Sequence, residues 1–213
     1  MSNARIAGMT LILTRAQAQD YARLNQYAVM MFTDAGSDYV AGRCCMLNGL
    51  FPGLRLASEA VEKILKAFIF LVTGHKSITK GNDRHNPYLL KQELRKMHLD
   101  SNLDVFDSVL TKLHDHFQSR YYDNPIKNKD ASTSELAQID ELFIYLVETL
   151  PMPDEVKYRT LFFAQLCDAN ARIHWRGYYW TTLSNGALNG KMELIERRYQ
   201  EVFEYLYQKP HKA

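Results

Sequence analysis

The stretch from Leu54 to Val72, LRLASEAVEKILKAFIFLV, constrains the fold more than any other part of the chain. Leu54, Ala57, Val61, Ile64, Phe68 and Leu71 recur at steps of three and four, the spacing that stacks side chains on one helix face. Glu59–Lys63 and Glu62–Lys66 are i,i+4 pairs in the favourable order and are predicted on the other side of the helix. From Ala67 to Val72 the helix is apolar all round, so neighbouring helices are expected to enclose this end. Each large apolar side chain fully buried there adds roughly 1.5–3 kcal/mol. This helix is predicted to form the centre of the core.

The flanking chain supplies the helices that such a centre needs. Met9–Leu13 reads as a short extended arm or a helix lead-in, and the pattern turns helical from Thr14. Leu24, Ala28, Met31, Ala35, Tyr39, Gly42 and Cys45 then keep one phase across Gly36 and Gly42. That continuity predicts a single long helix kinked near Asp34–Ser37; the rival is two helices with Ser37 as the second N-cap. The small residues Ala35, Ala41, Gly42, Cys44 and Cys45 would let another helix approach closely. Asn48-Gly49 supplies a left-handed stop, and Phe51-Pro52-Gly53 turns the chain into the central helix.

Gly74–Pro87 is a polar connection. Asn86-Pro87 opens the next helix, with Leu90, Leu94 and Met97 facing inward. Leu103, Phe106, Leu110, Leu113, Phe117 and Tyr121 mark a helix over about 102–121. Ser132 and Glu135 form a capping-box pattern before Leu136, Ile139, Phe143, Leu146 and Leu150. Beyond Pro151 and Pro153 come helices over about 154–173 and 191–208. No strand alternation and no internal repeat is present. The class is all-α: an up-and-down antiparallel helical bundle with additional C-terminal helices. The expected division is residues 1–150 as the bundle with its N-terminal helix, and 151–213 as a helical extension on the same core.

With 213 residues, 46% of them hydrophobic, the chain can bury one substantial core. A formal charge of +2 excludes a global polyelectrolyte surface, so any nucleic-acid contact must be a local patch. Cys44, Cys45 and Cys167 are an odd set with two neighbours adjacent, read as buried free thiols in a reducing compartment rather than a disulfide framework or redox pair. The apolar run at 67–72 is far short of the roughly 20 residues that span a bilayer, and nothing resembles a signal peptide. A cytoplasmic protein without membrane contact is expected.

Three features occur in order: a small-residue helix ending in LNGLFPG (Leu47–Gly53), a helix carrying ASEAVEKILKAFI (Ala57–Ile69), and a connection to HNPYLL (His85–Leu90) followed by SRYYDNP (Ser119–Pro125). Over about residues 35–150 this succession resembles the HEPN domain, a nucleotide-binding helical bundle. The resemblance implies the up-and-down bundle, a homodimer, and a cleft for nucleotide or RNA. It also implies a setting beside nucleotidyltransferases in toxin–antitoxin systems, and in some members metal-independent ribonuclease activity. Ribonuclease members carry an Arg followed, after four to six residues, by a His. Arg120 stands near that Arg, but no His follows it at that spacing, and Arg84-His85, Arg95-His98 and Arg172-His174 are too close. Arg120 is thus the sole catalytic candidate by resemblance, and the chain reads as a binder rather than a nuclease. The alternatives are a ribonuclease with a non-standard acid or base, such as His85 or His114, and a protein-interaction scaffold.

Several segments could make the contacts. Lys76, Lys80, Arg84 and His85 gather in the Gly74–Pro87 connection, where flexible cations can meet phosphate; a merely solvated connection is the alternative. Arg120 and Tyr121 would line the family cleft, on phosphate and base respectively, or else close a helix end. Arg172–Trp180 interleaves cations with aromatics, a composition found on nucleic-acid surfaces and also where aromatics pack inward under snorkelling arginines. His114 and His116, two apart on a helix, diverge too far to share a metal, and no Glu-x-x-His motif occurs. Neither a metal nor a cofactor is expected.

Overall fold

The computed structural model describes residues 5–6, 9–10, 12–47, 49–50, 52–76, 81–96, 102–118, 133–160 and 192–207. Two short strands, β1 (Arg5–Ile6) and β2 (Met9–Thr10), pair antiparallel with Ile6 opposite Met9. The rest is all-α: α1 (Arg15–Leu24), α2 (Gln26–Leu47), α3 (Pro52–Thr73), α4 (Pro87–Lys96), α5 (Asp107–Gln118), α6 (Thr133–Thr149), α7 (Asp154–Lys157) and α8 (Met192–Tyr207). Single 3₁₀ turns cover Gly81–His85 and Asn102–Phe106. No helix among the described residues is long and apolar enough to cross a membrane.

α3 is the centre of this helical bundle, in contact with α2, α4, α5 and α6. Leu54, Ala57, Val61, Ile64 and Phe68 are buried along it, as their spacing predicts. The enclosure of its end is narrower than expected. Ala67, Phe68 and Ile69 are buried, but Phe70 and Leu71 are half-buried and Val72 is 39% exposed, because the chain turns away at Gly74. The charged side also departs from expectation. Glu62 is buried with Lys66 on it, whereas Lys63 reaches across to Asp38 of α2 and Glu59 pairs with Arg55.

The α2–α3 hairpin is the tightest contact. A Cβ on Gly42 would lie 2.9 Å from the Gly53 carbonyl oxygen, and a Cβ on Gly53 would lie 2.8 Å from that of Gly42. The two backbones touch where neither residue has a side chain. Gly49, with φ 65°, makes the predicted left-handed stop, and the Leu50 N–H closes back on the Cys45 carbonyl at 2.8 Å.

The single helix kinked at Asp34–Ser37 is corrected. The break falls at Asn25, whose backbone N–H and side-chain Nδ2 both donate to the Tyr21 carbonyl, at 2.9 and 3.0 Å, closing α1. α2 then runs unbroken through Gly36 and Ser37. Leu24 is consequently 73% exposed, and α2 buries Phe32, Gly36, Arg43 and Met46 beside Ala28, Ala35, Tyr39 and Gly42. Its buried stripe is wide because α1, α3 and α6 all pack against it. α1 opens on the Thr14–Gln17 capping box.

The helix expected over 154–173 is corrected at its start, since α7 ends at Lys157 and Tyr158–Thr160 form a turn. Glu155, fully buried, accepts the N–H groups of Ile12 and Leu13 and so ties the arm before α1 to α7. Val156, Tyr158, Val202 and Leu206 are buried in the same apolar cluster as α3.

Candidate functional site

Glu62, Lys66 and Phe70 lie at i, i+4 and i+8 on α3 and so share one face, the face met by the end of the 3₁₀ turn. Lys66 Nζ lies 2.5 Å and His85 Nδ1 3.0 Å from the same oxygen, Glu62 Oε1. Arg84 Nε donates to His85 Nε2 at 2.8 Å. An acceptor at Nε2 places the ring proton on Nδ1, directed at Glu62. The result is a relay from an exposed guanidinium through a partly exposed imidazole to a buried carboxylate. One turn beyond Lys66, Phe70 meets Tyr27 of α2 with ring centroids 5.0 Å apart. Lys76 Nζ stands 5.0 Å from the centre of the Tyr27 ring. Burial, and secondly the charge of Glu62, push the Tyr27 hydroxyl above its usual range, which places Tyr27 within the field of the same carboxylate.

Local chemistry explains why these groups meet. Gly74, with φ 71°, ends α3 and returns its N–H to the Phe70 carbonyl at 2.8 Å. Thr73 Oγ1 donates to the Ile69 carbonyl and accepts the His75 N–H, steering the chain past Tyr27 toward Lys76. On the return, Asn86 Oδ1 accepts the N–H groups of Tyr88 and Leu89, at 3.0 and 3.3 Å, and caps α4. The 3₁₀ turn thus delivers Arg84 and His85 immediately before a fixed cap.

Lys66 is paired with the buried Glu62, so the exposed charges at this end of α3 are Lys76 and Arg84 with Asp83 beside them, a small cationic excess near an aromatic ring. Such a surface can hold phosphate through charge-assisted hydrogen bonds and support a base by stacking. Of the residues expected from sequence, Arg84 and His85 meet above Glu62, while Lys76 lies over Tyr27 of α2; Lys80, Arg120, Tyr121, Cys167 and the 172–180 segment lie outside the described residues. Glu62 and Lys66 form the i,i+4 pair that their spacing predicts; what local spacing does not show is that Glu62 is buried and shared with His85. Tyr27 and Phe70 carry no local signal, because their meeting depends on how α2 crosses α3.

Other ionisable clusters connect helices. Lys91, almost wholly buried, lies between Asp104 and Asp107, tying α4 to the turn before α5. No group of three or more metal-ligating side chains gathers among the described residues, His114 and His116 included. Cys44 and Cys45 are half-buried rather than buried, since the outer edge of α2 is only partly covered; burial and its neighbour push the Cys44 thiol up. No known protein family, curated protein or solved structure matches the chain.

Proposed function

We propose that the chain is a HEPN-like helical protein that binds a nucleotide or RNA through phosphate, without turning it over, at the Lys76–Arg84–His85 corner of α3. The observation that carries this reading is the Arg84–His85–Glu62 relay, which holds an exposed guanidinium in place through its Nε. Lys76 over Tyr27 adds a second cation and a ring for a base. The Arg84 contact also occupies His85 Nε2, the nitrogen that a general base would need, which favours binding over cleavage. Following the resemblance, the protein is a homodimer and the partner of a nucleotidyltransferase in a toxin–antitoxin pair.

One observation favours the ribonuclease alternative: Glu62 orients His85 as a carboxylate orients a catalytic imidazole. A single experiment separates the two. Labelled single-stranded RNA is titrated with wild type, Arg84→Gln and Lys76→Gln at two salt concentrations, with cleavage followed in chelator. Binding that weakens with salt and with either substitution, while the RNA stays intact, supports the binder. Chelator-resistant cleavage lost in His85→Ala would replace it with the nuclease, and absence of binding at low salt would remove both.

A further inference from the structure

A cavity of about 250 Å³ opens where α1, α2 and the turn after α7 meet. Ala18 and Ala22, one turn apart on α1, line one side, and Val29 and Thr33, one turn apart on α2, the other. Val156 and Thr160 close the end. These six side chains are too short to fill the gap between their elements, and Ala18, Val156 and Thr160 are buried, so the space reaches into the fold. The two longer side chains, exposed Gln19 and half-buried Arg159, stand toward solvent. The Thr33 hydroxyl donates to the Val29 carbonyl and the Thr160 hydroxyl to that of Lys157, both at 2.9 Å. Each has committed its proton, so what it offers the cavity is oxygen lone pairs. Arg159 has no ion pair among the described residues. Its guanidinium carbon lies 5.4 Å from the centre of the Tyr207 ring, a contact that holds the cation without using its N–H donors. No acidic side chain among the described residues lines the cavity.

We propose that this cavity binds a small branched 2-hydroxy carboxylate, its carboxylate on Arg159, its hydroxyl on the Thr160 oxygen and its alkyl chain over Ala18, Ala22, Val29 and Val156. A space of about 150 Å³ takes a benzene ring, so this one admits about ten non-hydrogen atoms, far fewer than a mononucleotide has. A single guanidinium matches a monoanion, and its fork fits a carboxylate through two N–H groups. Arg159 and Thr160 are neighbours in one turn, closed by their N–H bonds to the Val156 and Lys157 carbonyls. The donor that Thr160 can accept therefore belongs beside the carboxylate, at carbon 2. A hydroxyl suits that place better than an ammonium, which would meet neutral oxygens only. The apolar walls are where a branched chain leaves water. The site shares no residue with the Glu62–His85 corner.

The test is calorimetric titration of the whole chain with 2-hydroxy-4-methylpentanoate, 4-methylpentanoate, 4-methylpentanol, leucine and lactate. The hydroxy acid is expected to saturate one site by millimolar concentration. Loss of the carboxylate, in the alcohol, should weaken binding about tenfold or more, and loss of the hydroxyl alone about threefold or more. Lactate, without the branched chain, should bind about tenfold more weakly or worse. Leucine should also bind more weakly than the hydroxy acid. Arg159→Gln should weaken the hydroxy acid about tenfold or more and leave the alcohol unchanged, a split that a merely structural role would not produce. Ala22→Leu, which puts a good helix former into the space, should remove binding with helicity retained. Should Arg159→Gln disturb the turn, Ala22→Leu decides, because it lies on a different element. The proposal is overturned if the hydroxy acid does not saturate, if acid and alcohol bind equally, or if leucine binds more tightly than the hydroxy acid. Affinity unchanged in Ala22→Leu would overturn it as well.

Discussion

Arg43 of α2 holds Asp140 of α6 through two nitrogens: Nε lies 3.0 and 3.1 Å from the two carboxylate oxygens and Nη2 3.0 Å from the second, with both side chains essentially removed from water. The Tyr39 hydroxyl donates to the same carboxylate, and the Tyr39 ring stacks on Phe143 at 4.0 Å with the planes 1° apart. Burial pushes the Asp140 carboxyl up against the opposing pull of Arg43 and Tyr39, and it pushes the Tyr39 hydroxyl well up. This knot fixes the position of α6 relative to α2 across the face of α3.

Asp140→Ala is therefore expected to cost about 3–5 kcal/mol in urea unfolding, since it leaves the Arg43 guanidinium buried without its carboxylate. The double variant Arg43→Met, Asp140→Leu should lose far less, because both charges leave together. Equal losses in the single and double variants would show that the pair is not coupled.

The Gly42–Gly53 contact predicts a cost for the smallest possible enlargement. Alanine at position 42 gains about 1 kcal/mol of helix propensity, but its Cβ meets backbone at 2.9 and 3.0 Å, with no flexible side chain to yield. Overpacking of this kind typically costs 1–3 kcal/mol, so Gly42→Ala should be destabilising on balance. A raised melting temperature would mean that the hairpin can open without loss.

Phe68, 5% exposed at the middle of the bundle, should behave as a core aromatic. Phe68→Ala is expected to lower unfolding free energy by roughly 3–5 kcal/mol, from lost transfer energy and the cavity left behind. A loss below about 1 kcal/mol would remove α3 from the centre of the fold.

Much of this architecture was legible in the residues themselves. The 3.6-residue phase of Leu54 to Phe68 and of Leu136 to Leu150 located two inner helices, because the apolar face of each pattern follows from local spacing. Asn48-Gly49 and Asn86-Pro87 located helix ends, because turns and caps are local chemistry. The break at Asn25 was not legible, since the periodicity of α2 ran on past it and the closing hydrogen bonds belong to a single side chain. Arg43, Asp140 and Glu62 were missed for a related reason: a charged residue on a helix reads as solvated until its partner, nearly a hundred residues away for Arg43, is seen. The candidate site was half legible, its cations from composition and its carboxylate and rings only from the crossing of α2 and α3.

His116 on α5 predicts a pH dependence. Burial holds its imidazole below the usual value near 6.5, against the opposing charges of Glu135 and Asp115 and aided by Lys112. Above that value both folded and unfolded chains carry it neutral. Below it the unfolded chain takes up the proton first, so stability falls as pH drops from about 6.5 toward the folded value. Thermal unfolding between pH 8 and 5.5 should show a shallower acid-side decline in His116→Gln than in wild type. Parallel curves would mean that His116 ionises equally in both states.

Glu62→Gln gives the sharpest test of the Lys76–Arg84–His85 corner, because charge and orientation predict opposite signs there. The amide oxygen of Gln can still accept from His85 Nδ1, so the imidazole and the Arg84 contact on its far side are retained. What is lost is a negative charge beneath the surface that is to receive a phosphate. At roughly 8 Å and an effective dielectric between 20 and 80, that charge opposes an anion by about 0.5–2 kcal/mol. Glu62→Gln should therefore tighten RNA or nucleotide binding by about twofold or more, while stability falls because Lys66 loses its carboxylate. Fluorescence anisotropy of the labelled RNA, with chemical unfolding in parallel, reads both quantities. Weaker binding at an unchanged fold would show that the carboxylate acts by holding His85 in place. Chelator-resistant cleavage that disappears in Glu62→Gln would assign the pair to catalysis instead.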